Sequence, residues 1–256
     1  MNIEPYPCWH WEKTLAGGDL TLDDPQERAK RQAAIEAVCL IPDGATVGLG
    51  TGSTAYYAIV ELGRRIREEG ASYTGVPTSY SAESLARQNG IPLRSLRNVV
   101  RVDIAVDGAD EIDPNLDLIK GAGGALTMEK MVDSYADCFV VIADESKLVD
   151  RLGRSASVPL EVLPSAMYTV ERHITRLGGT SRLRVGAGGP GHDGPIITEH
   201  ENLLVDVRFQ DIEDPWEMER SLNAIPGVVE NGVFSRMAHI VLIGSPDGGK
   251  VRQLTR

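Results

Sequence analysis

Five consecutive apolar residues, Cys138-Phe139-Val140-Val141-Ile142, limit the fold more than any other stretch of this chain. A half-exposed strand alternates apolar and polar side chains, because successive residues point to opposite faces. This run does not alternate, so both of its faces are covered, as in a parallel sheet with helices on either side. The preceding segments supply the rest of such a sheet. Ala45 to Gly50 reads as a buried strand, and Thr51-Gly52-Ser53-Thr54 opens the next helix. Tyr73 to Val76 is a strand, Ser81 to Asn89 a helix and Pro92 to Leu96 a short strand. In Val102, Ile104 and Val106 the period is two. Asp24-Pro25-Gln26-Glu27 starts the first helix, with Asp as N-cap and Pro at the first helical position. Ala34, Val38 and Ile41 form its inward stripe, which Lys30 extends by one turn; a lysine there can also snorkel to the surface.

From Val158 the order changes to strand, helix, strand, strand, helix, strand. The segments are Val158–Leu163, Ala166–Leu177, Ser181–Val185, Leu203–Phe209, Asp214–Ala224 and Val228–Phe234. That is the order of a ferredoxin-like unit. A glycine-rich turn, Gly186 to Gly194, lies inside it, and His239 to Gly244 returns as a last strand. The expected fold is α/β: a doubly wound, mostly parallel sheet with an inserted ferredoxin-like α+β domain. Residues 24–155 and 236–256 make the α/β domain, 156–235 the insert, and 1–23 an N-terminal extension. The extension holds Trp9, His10 and Trp11 and no run suited to a signal peptide or a membrane span.

The 256 residues carry a net charge of -11, which argues against a nucleic-acid binder, and 42% of them are apolar, enough for a sizeable core. Cys8, Cys39 and Cys138 have neither metal-ligand spacing nor a disulfide frame. Cys39 and Cys138 fall in apolar runs and are expected as buried thiols, and a reducing cytoplasm suits all three. No metal, cofactor or membrane partner is expected.

The chemistry gathers between Arg101 and Lys130. The strand through Val106 ends at Asp107-Gly108-Ala109-Asp110, a second short run delivers Lys120, and Gly121-Ala122-Gly123-Gly124 turns the chain into a helix bearing Glu129. Singly, the aspartates read as solvated or capping acids and the lysine as a surface residue. Glu129 says more: it shares a helical seam with Ala125, Val132 and Ala136, so it faces inward, where burial raises a carboxyl pKa. Gly48 to Thr54, GLGTGST, is a second anion-binding candidate: glycines allow close backbone approach and a helix start favours negative charge. It lacks the lysine of a P-loop. Nor does an acid end the following strand, as a dinucleotide fold would require. A monophosphate cradle remains.

GLGTGST, DGADEID (Asp107–Asp113) and KGAGGALTMEK (Lys120–Lys130) together resemble the type A ribose-5-phosphate isomerases. IADESKLVD around Lys147, PLEVLP at Pro159–Pro164 and NAIPGVVENGVF at Asn223–Phe234 continue the resemblance in the same order, over roughly Asp24 to Gly249. It implies an aldose–ketose isomerase of the pentose phosphate pathway, acting through a cis-enediol. Glu129 would move the proton between C2 and C1, Asp107 and Asp110 would open the ring and shuttle hydroxyl protons, and Lys120 would stabilise the enediolate. Thr51, Gly52, Ser53, Thr54, Lys30 and Lys147 would hold the phosphate, with Gly108, Ala109, Gly121, Ala122 and Gly123 lining the sugar. A homo-oligomer, dimer or tetramer, is expected. The chain departs from the family at Ala122, where glycine is usual. A methyl there either narrows the pocket or is harmless if φ is negative. Two other readings are a sugar-phosphate sensor without turnover and a CoA-transferase or lactonase relative. A sensor has no use for an inward glutamate, and the relative would carry different site residues.

Overall fold

The computed structural model describes residues 24–186 and 194–256. The expectations for the 1–23 extension, Cys8 and His10 included, and for the turn at 187–193 lie outside the described residues. In chain order the first half holds α1 (Pro25–Cys39), β1 (Thr46–Leu49), α2 (Ser53–Glu69), β2 (Thr74–Pro77) and α3 (Tyr80–Gln88). Then come β3 (Ile104–Asp107), β4 (Glu111–Ile112), β5 (Leu118–Ile119), α4 (Leu126–Tyr135) and β6 (Phe139–Asp144). The second half holds β7 (Val158–Val162), α5 (Met167–Arg176), β8 (Thr180–Leu183), β9 (Leu203–Arg208) and α6 (Pro215–Asn223). It closes with β10 (Val228–Asn231), β11 (Val233–Phe234), β12 (Ile240–Gly244) and β13 (Arg252–Thr255).

Six strands form the central sheet in the order β13-β12-β6-β3-β1-β2. All neighbours are parallel except the edge pair β12–β13. The apolar run in β6 divides between the two faces. Val140 and Ile142 pack with Val38, Ile59 and Leu62, from α1 and α2. Phe139, Val141 and Ala143 pack with Val132 and Ala136, at α4. Each such side chain removed from water is worth about 1.5–3 kcal/mol, so the sandwich is held from both sides. The helix starts behave as their sequence reads: Asp24 accepts from the Gln26 N–H at 2.8 Å and Asp214 from the Glu217 N–H at 3.1 Å.

From β1 the chain crosses to β2 on one side, then returns past β1 to β3 on the other. The sheet therefore has its switch point between β1 and β3. In open α/β sheets, ligands bind beyond the carboxyl ends of the strands at such a point. Gly50 and Asp107 sit there.

The second sheet is antiparallel, β10-β7-β9-β8, the fourth-first-third-second order of a ferredoxin-like unit. Val158, Leu160 and Val162 of β7 face α5 and α6 through Val170, Ile174 and Leu222. The alternate residues, Pro159 and Glu161, point to the other face, toward the start of α4.

Four expectations need correction. Val228–Phe234 is two strands: β10 pairs with β7, whereas β11 pairs with β5 in a three-stranded sheet with β4. Gly232 permits the change of sheet, because a Cβ there would stand 2.4 Å from the Lys120 carbonyl oxygen. Pro92 to Leu96 is no strand; Leu93 alone bridges Gly75, and a 3-10 turn follows at Leu96–Asn98. The strand β13 was not expected, since its side chains are mostly exposed and show no apolar face. Cys39, at the end of α1, is exposed beside Arg65, and Cys138 is half-buried just before β6, so neither is a fully buried thiol.

Candidate active site

Gly50 ends β1 with no side chain because Asp107 occupies that space: a Cβ would lie 2.2 Å from the Asp107 Oδ1. That oxygen accepts from the backbone N–H groups of Gly108 at 2.7 Å and Thr51 at 3.0 Å. One carboxylate thus fastens the end of β3 to the turn after β1. Its second oxygen lies 2.9 Å from the Lys120 Nζ, which also donates to the Gly108 carbonyl at 2.7 Å. Lys120 reaches this place because its backbone N–H pairs with the Gly232 carbonyl at 2.9 Å, extending the β5–β11 ladder by one rung.

Glu129 approaches from α4 at the expected inward position and is 3% exposed. Its Oε2 stands 3.7 Å from the Lys120 Nζ and has no hydrogen-bond partner among the described residues. One turn further on lies Asp133, 2% exposed, with its Oδ2 4.0 Å from the same nitrogen and neither oxygen hydrogen-bonded to a described residue. Sequence reading missed Asp133. The signal was there: it is four residues from Glu129 on the same helical face.

Three buried carboxyl groups therefore surround one buried ammonium. Burial alone would lower the Lys120 pKa, but Asp107, Glu129 and Asp133 outweigh it and hold the lysine charged. For the acids, burial dominates. It pushes Glu129 up to about 8, with Lys120 opposing and Asp107 and Asp110 adding to the rise. Asp133 is driven well above the carboxylate range by burial and by its acidic neighbours, against the pull of Lys120. Asp107 is also raised by burial, but Lys120 and its two backbone donors counter the effect.

Over this cluster lies the glycine-rich turn. Gly121 and Gly124 have φ of +99° and +84°, and a Cβ on Gly121 would meet Leu126 at 2.7 Å and Pro159 at 2.8 Å. These two positions demand glycine. Ala122 does not: it is exposed, and the non-glycine residues with positive φ among the described residues are Leu116, Glu201 and Arg236. Its N–H donates to Asp110 Oδ2 at 2.9 Å, and its carbonyl accepts from Arg184 Nη1, also at 2.9 Å. Arg184 reaches across from the antiparallel sheet, steadied by Asp206 at 2.9 Å. It is a second residue that sequence reading missed, because the contact joins segments far apart in the chain. Asp110 itself is half-buried at the rim rather than in the cluster, and Gly108 and Ala109 are half-buried beside it.

The turn Thr51 to Thr54 lies alongside, with Gly123 close to the Thr51 methyl. Gly52, at φ +109°, precedes α2, and no side chain caps that helix. Ser53 is exposed and Thr54 buried. The Thr51 hydroxyl contacts those of Thr78 at 2.8 Å and Ser79 at 2.7 Å, two further polar residues after β2 that the sequence did not assign to the site. Lys30 is buried and paired with Glu27 at 2.7 Å, and Glu27 also accepts from the Tyr57 hydroxyl. Lys147 is half-buried in the 3-10 turn Glu145–Lys147 after β6. Among the described residues, no group of three or more His, Cys, Asp or Glu side chains is placed to hold a metal ion.

Residues 74–248 match the family described as ribose 5-phosphate isomerase A (phosphoriboisomerase A). The chain is 51% identical over 222 residues to the ribose-5-phosphate isomerase A of Methanothermobacter thermautotrophicus, across 87% of this chain and 96% of that one. Among solved structures it is similar to ribose 5-phosphate isomerase A from Methanocaldococcus jannaschii, with 48% identity and a TM-score of 0.84 over 90% of this chain and 99% of that one. It is equally similar to a D-ribose-5-phosphate isomerase in complex with phospho-erythronic acid, at 46% identity and a TM-score of 0.86 with the same two coverages. Sequence blocks, sheet order and the match over nine-tenths of the fold agree, and the chain belongs to the ribose 5-phosphate isomerase A family.

Proposed function

We propose that the chain interconverts D-ribose 5-phosphate and D-ribulose 5-phosphate through a cis-enediol. The observation that carries this reading is Glu129: a buried carboxyl group with an unpartnered oxygen, 3.7 Å from a lysine that balances part of its charge. In the reaction the ionised carboxylate takes the proton from C2. The C2–H electron pair forms the C1–C2 double bond, and the carbonyl oxygen at C1 gains the negative charge. Lys120 stabilises that oxygen, and Glu129 returns the proton to C1 as the C2 hydroxyl becomes a carbonyl. Asp107 and Asp110 carry the hydroxyl protons and open the sugar ring. A positioned general base contributes about 10²–10⁴-fold, and charge fixed where the oxyanion develops adds to it.

The start of α2, which no side chain among the described residues caps, supports a phosphate site at Thr51–Thr54, because the first N–H groups of a helix have no partner within it. Lys30 and Lys147 supply positive charge to it in this reading. The phospho-erythronic acid held by the solved relative is itself a phosphorylated sugar acid, which favours the same class of ligand here. A sensor without turnover has no use for the unpartnered carboxylate. A cytoplasmic setting suits the free thiols of Cys39 and Cys138. Assembly into a dimer or tetramer would find exposed apolar side chains to cover, Tyr80, Val100 and Tyr168 among them. No helix among the described residues is long and apolar enough to cross a membrane.

The test is ketopentose formation from ribose 5-phosphate, with free ribose as control. Contacts to the phosphate are remote from C1 and C2 and serve to position them. Ribose should therefore show lower turnover as well as weaker binding; equal kcat for the two sugars would remove the phosphate site from the scheme.

A further inference from the structure

Asp133 has no part in the scheme above, yet both its oxygens are buried without a hydrogen-bond partner among the described residues. The charged groups facing it are Asp107 from β3, Lys120 from the end of β5 and Glu129 on its own helix. Asp110, at the rim, acts on Glu129. Lys130, adjacent to Glu129 in the chain, is turned away to Glu219, Glu230 and the Val233 carbonyl.

We propose that Asp133 is a positioning residue of this site: it and Glu129 carry one proton between them, and Asp133 keeps it when Glu129 ionises to act as the base. The inference rests on the isomerase reading. With all three acids ionised, one lysine would face three negative charges in a volume closed to water, and burial makes that arrangement costly. Asp107 is the best-stabilised anion, with Lys120 at 2.9 Å and two backbone donors. Glu129 and Asp133 share what remains of the lysine, at 3.7 and 4.0 Å. Two acids so coupled release their protons in two steps that belong to the pair rather than to either residue. The more distant Asp133 is the better place for the retained proton, and an Asp133 that stays neutral adds no repulsion to an ionised Glu129. The upward shifts of both groups agree with this.

The test is the pH profile of kcat/KM for ribose 5-phosphate. Asp133→Asn replaces a neutral acid by a neutral amide of the same size, so the acid limb should stay within a few tenths of a unit of the wild type. A limb that moves to lower pH by about one unit or more would show that Asp133 is ionised beside Glu129 in the wild type, and overturns the proposal. Infrared spectra of the wild type give the positive signature, whether or not the variant folds. A protonated-carboxyl band near neutral pH that shifts on 13C-aspartate labelling is expected, and the lack of one overturns the shared proton. A wild type that forms no ketopentose overturns the isomerase reading itself, and this role with it.

Discussion

Glu129 and Glu161 are both closed to water, at 3% and 1% exposure, and their pKa values are displaced in opposite directions. Glu161 lies on the face of β7 turned toward α4. Burial would raise it, but hydrogen bonds from Thr127, Asn202 and Thr198, and His200 beside it, outweigh burial and hold it below the usual range. Glu129 has one lysine at 3.7 Å and no hydrogen bond on Oε2. Burial is common to both; satisfaction is not. A carboxylate with its lone pairs occupied is a fastener, here tying the antiparallel sheet to the first turn of α4. One left unsatisfied keeps its affinity for a proton, which is what a base needs. The two meet at the start of α4: Thr127, a partner of Glu161, is two residues before Glu129.

The sharpest way to break the comparison is Glu129→Gln. Turnover should fall by about 10²–10⁴-fold, exchange of the C2 proton with solvent should vanish, and substrate binding should persist. A variant isomerising within a few-fold of wild type would make Asp107 the next candidate base. Glu161→Leu tests the other side. It strands buried donors, and the expected loss is about 1–3 kcal/mol of unfolding free energy in urea, with kcat little changed where the protein stays folded.

The two glutamates should also give opposite slopes of stability against pH. Glu129 is raised from 4.5 to about 8, so the folded chain holds a proton that the unfolded chain releases. Its contribution is fully present below about pH 4.5 and is lost as pH rises through about 8. Glu161 is lowered from 4.5, so its contribution is present above that value and is lost as pH falls through its folded-state pKa. In thermal melts, Glu129→Gln should exceed the wild type above about pH 8 and converge with it in acid. A Glu161→Gln variant should fall furthest below the wild type at neutral pH and approach it in acid. Parallel curves for both variants would dissolve the distinction. The smallest effect is expected at Ala122→Gly. The added backbone freedom should cost about 0.5–1 kcal/mol in denaturant unfolding, with a slight rise in KM as the turn loosens.

The sequence by itself determined the layers. An apolar run without alternation fixed β6 between two helical faces, and Val140 and Ile142 do pack opposite to Phe139 and Val141. Two Asp-Pro starts placed α1 and α6, and a seam of helical spacing turned Glu129 inward. These are local consequences of period and capping, so they can be read along the chain. Tertiary structure decided what the inward charges meet. That Lys120 stands among Asp107, Glu129 and Asp133, that Lys30 pairs with Glu27, and that Arg184 holds the Ala122 carbonyl depend on strand order and on Gly232 passing β11 beside Lys120. The same holds for the edge strand β13 and the exposure of Cys39. Periodicity tells which way a side chain points. Which partner waits there, and hence whether a buried carboxylate becomes a base or a fastener, is set by contacts between distant segments.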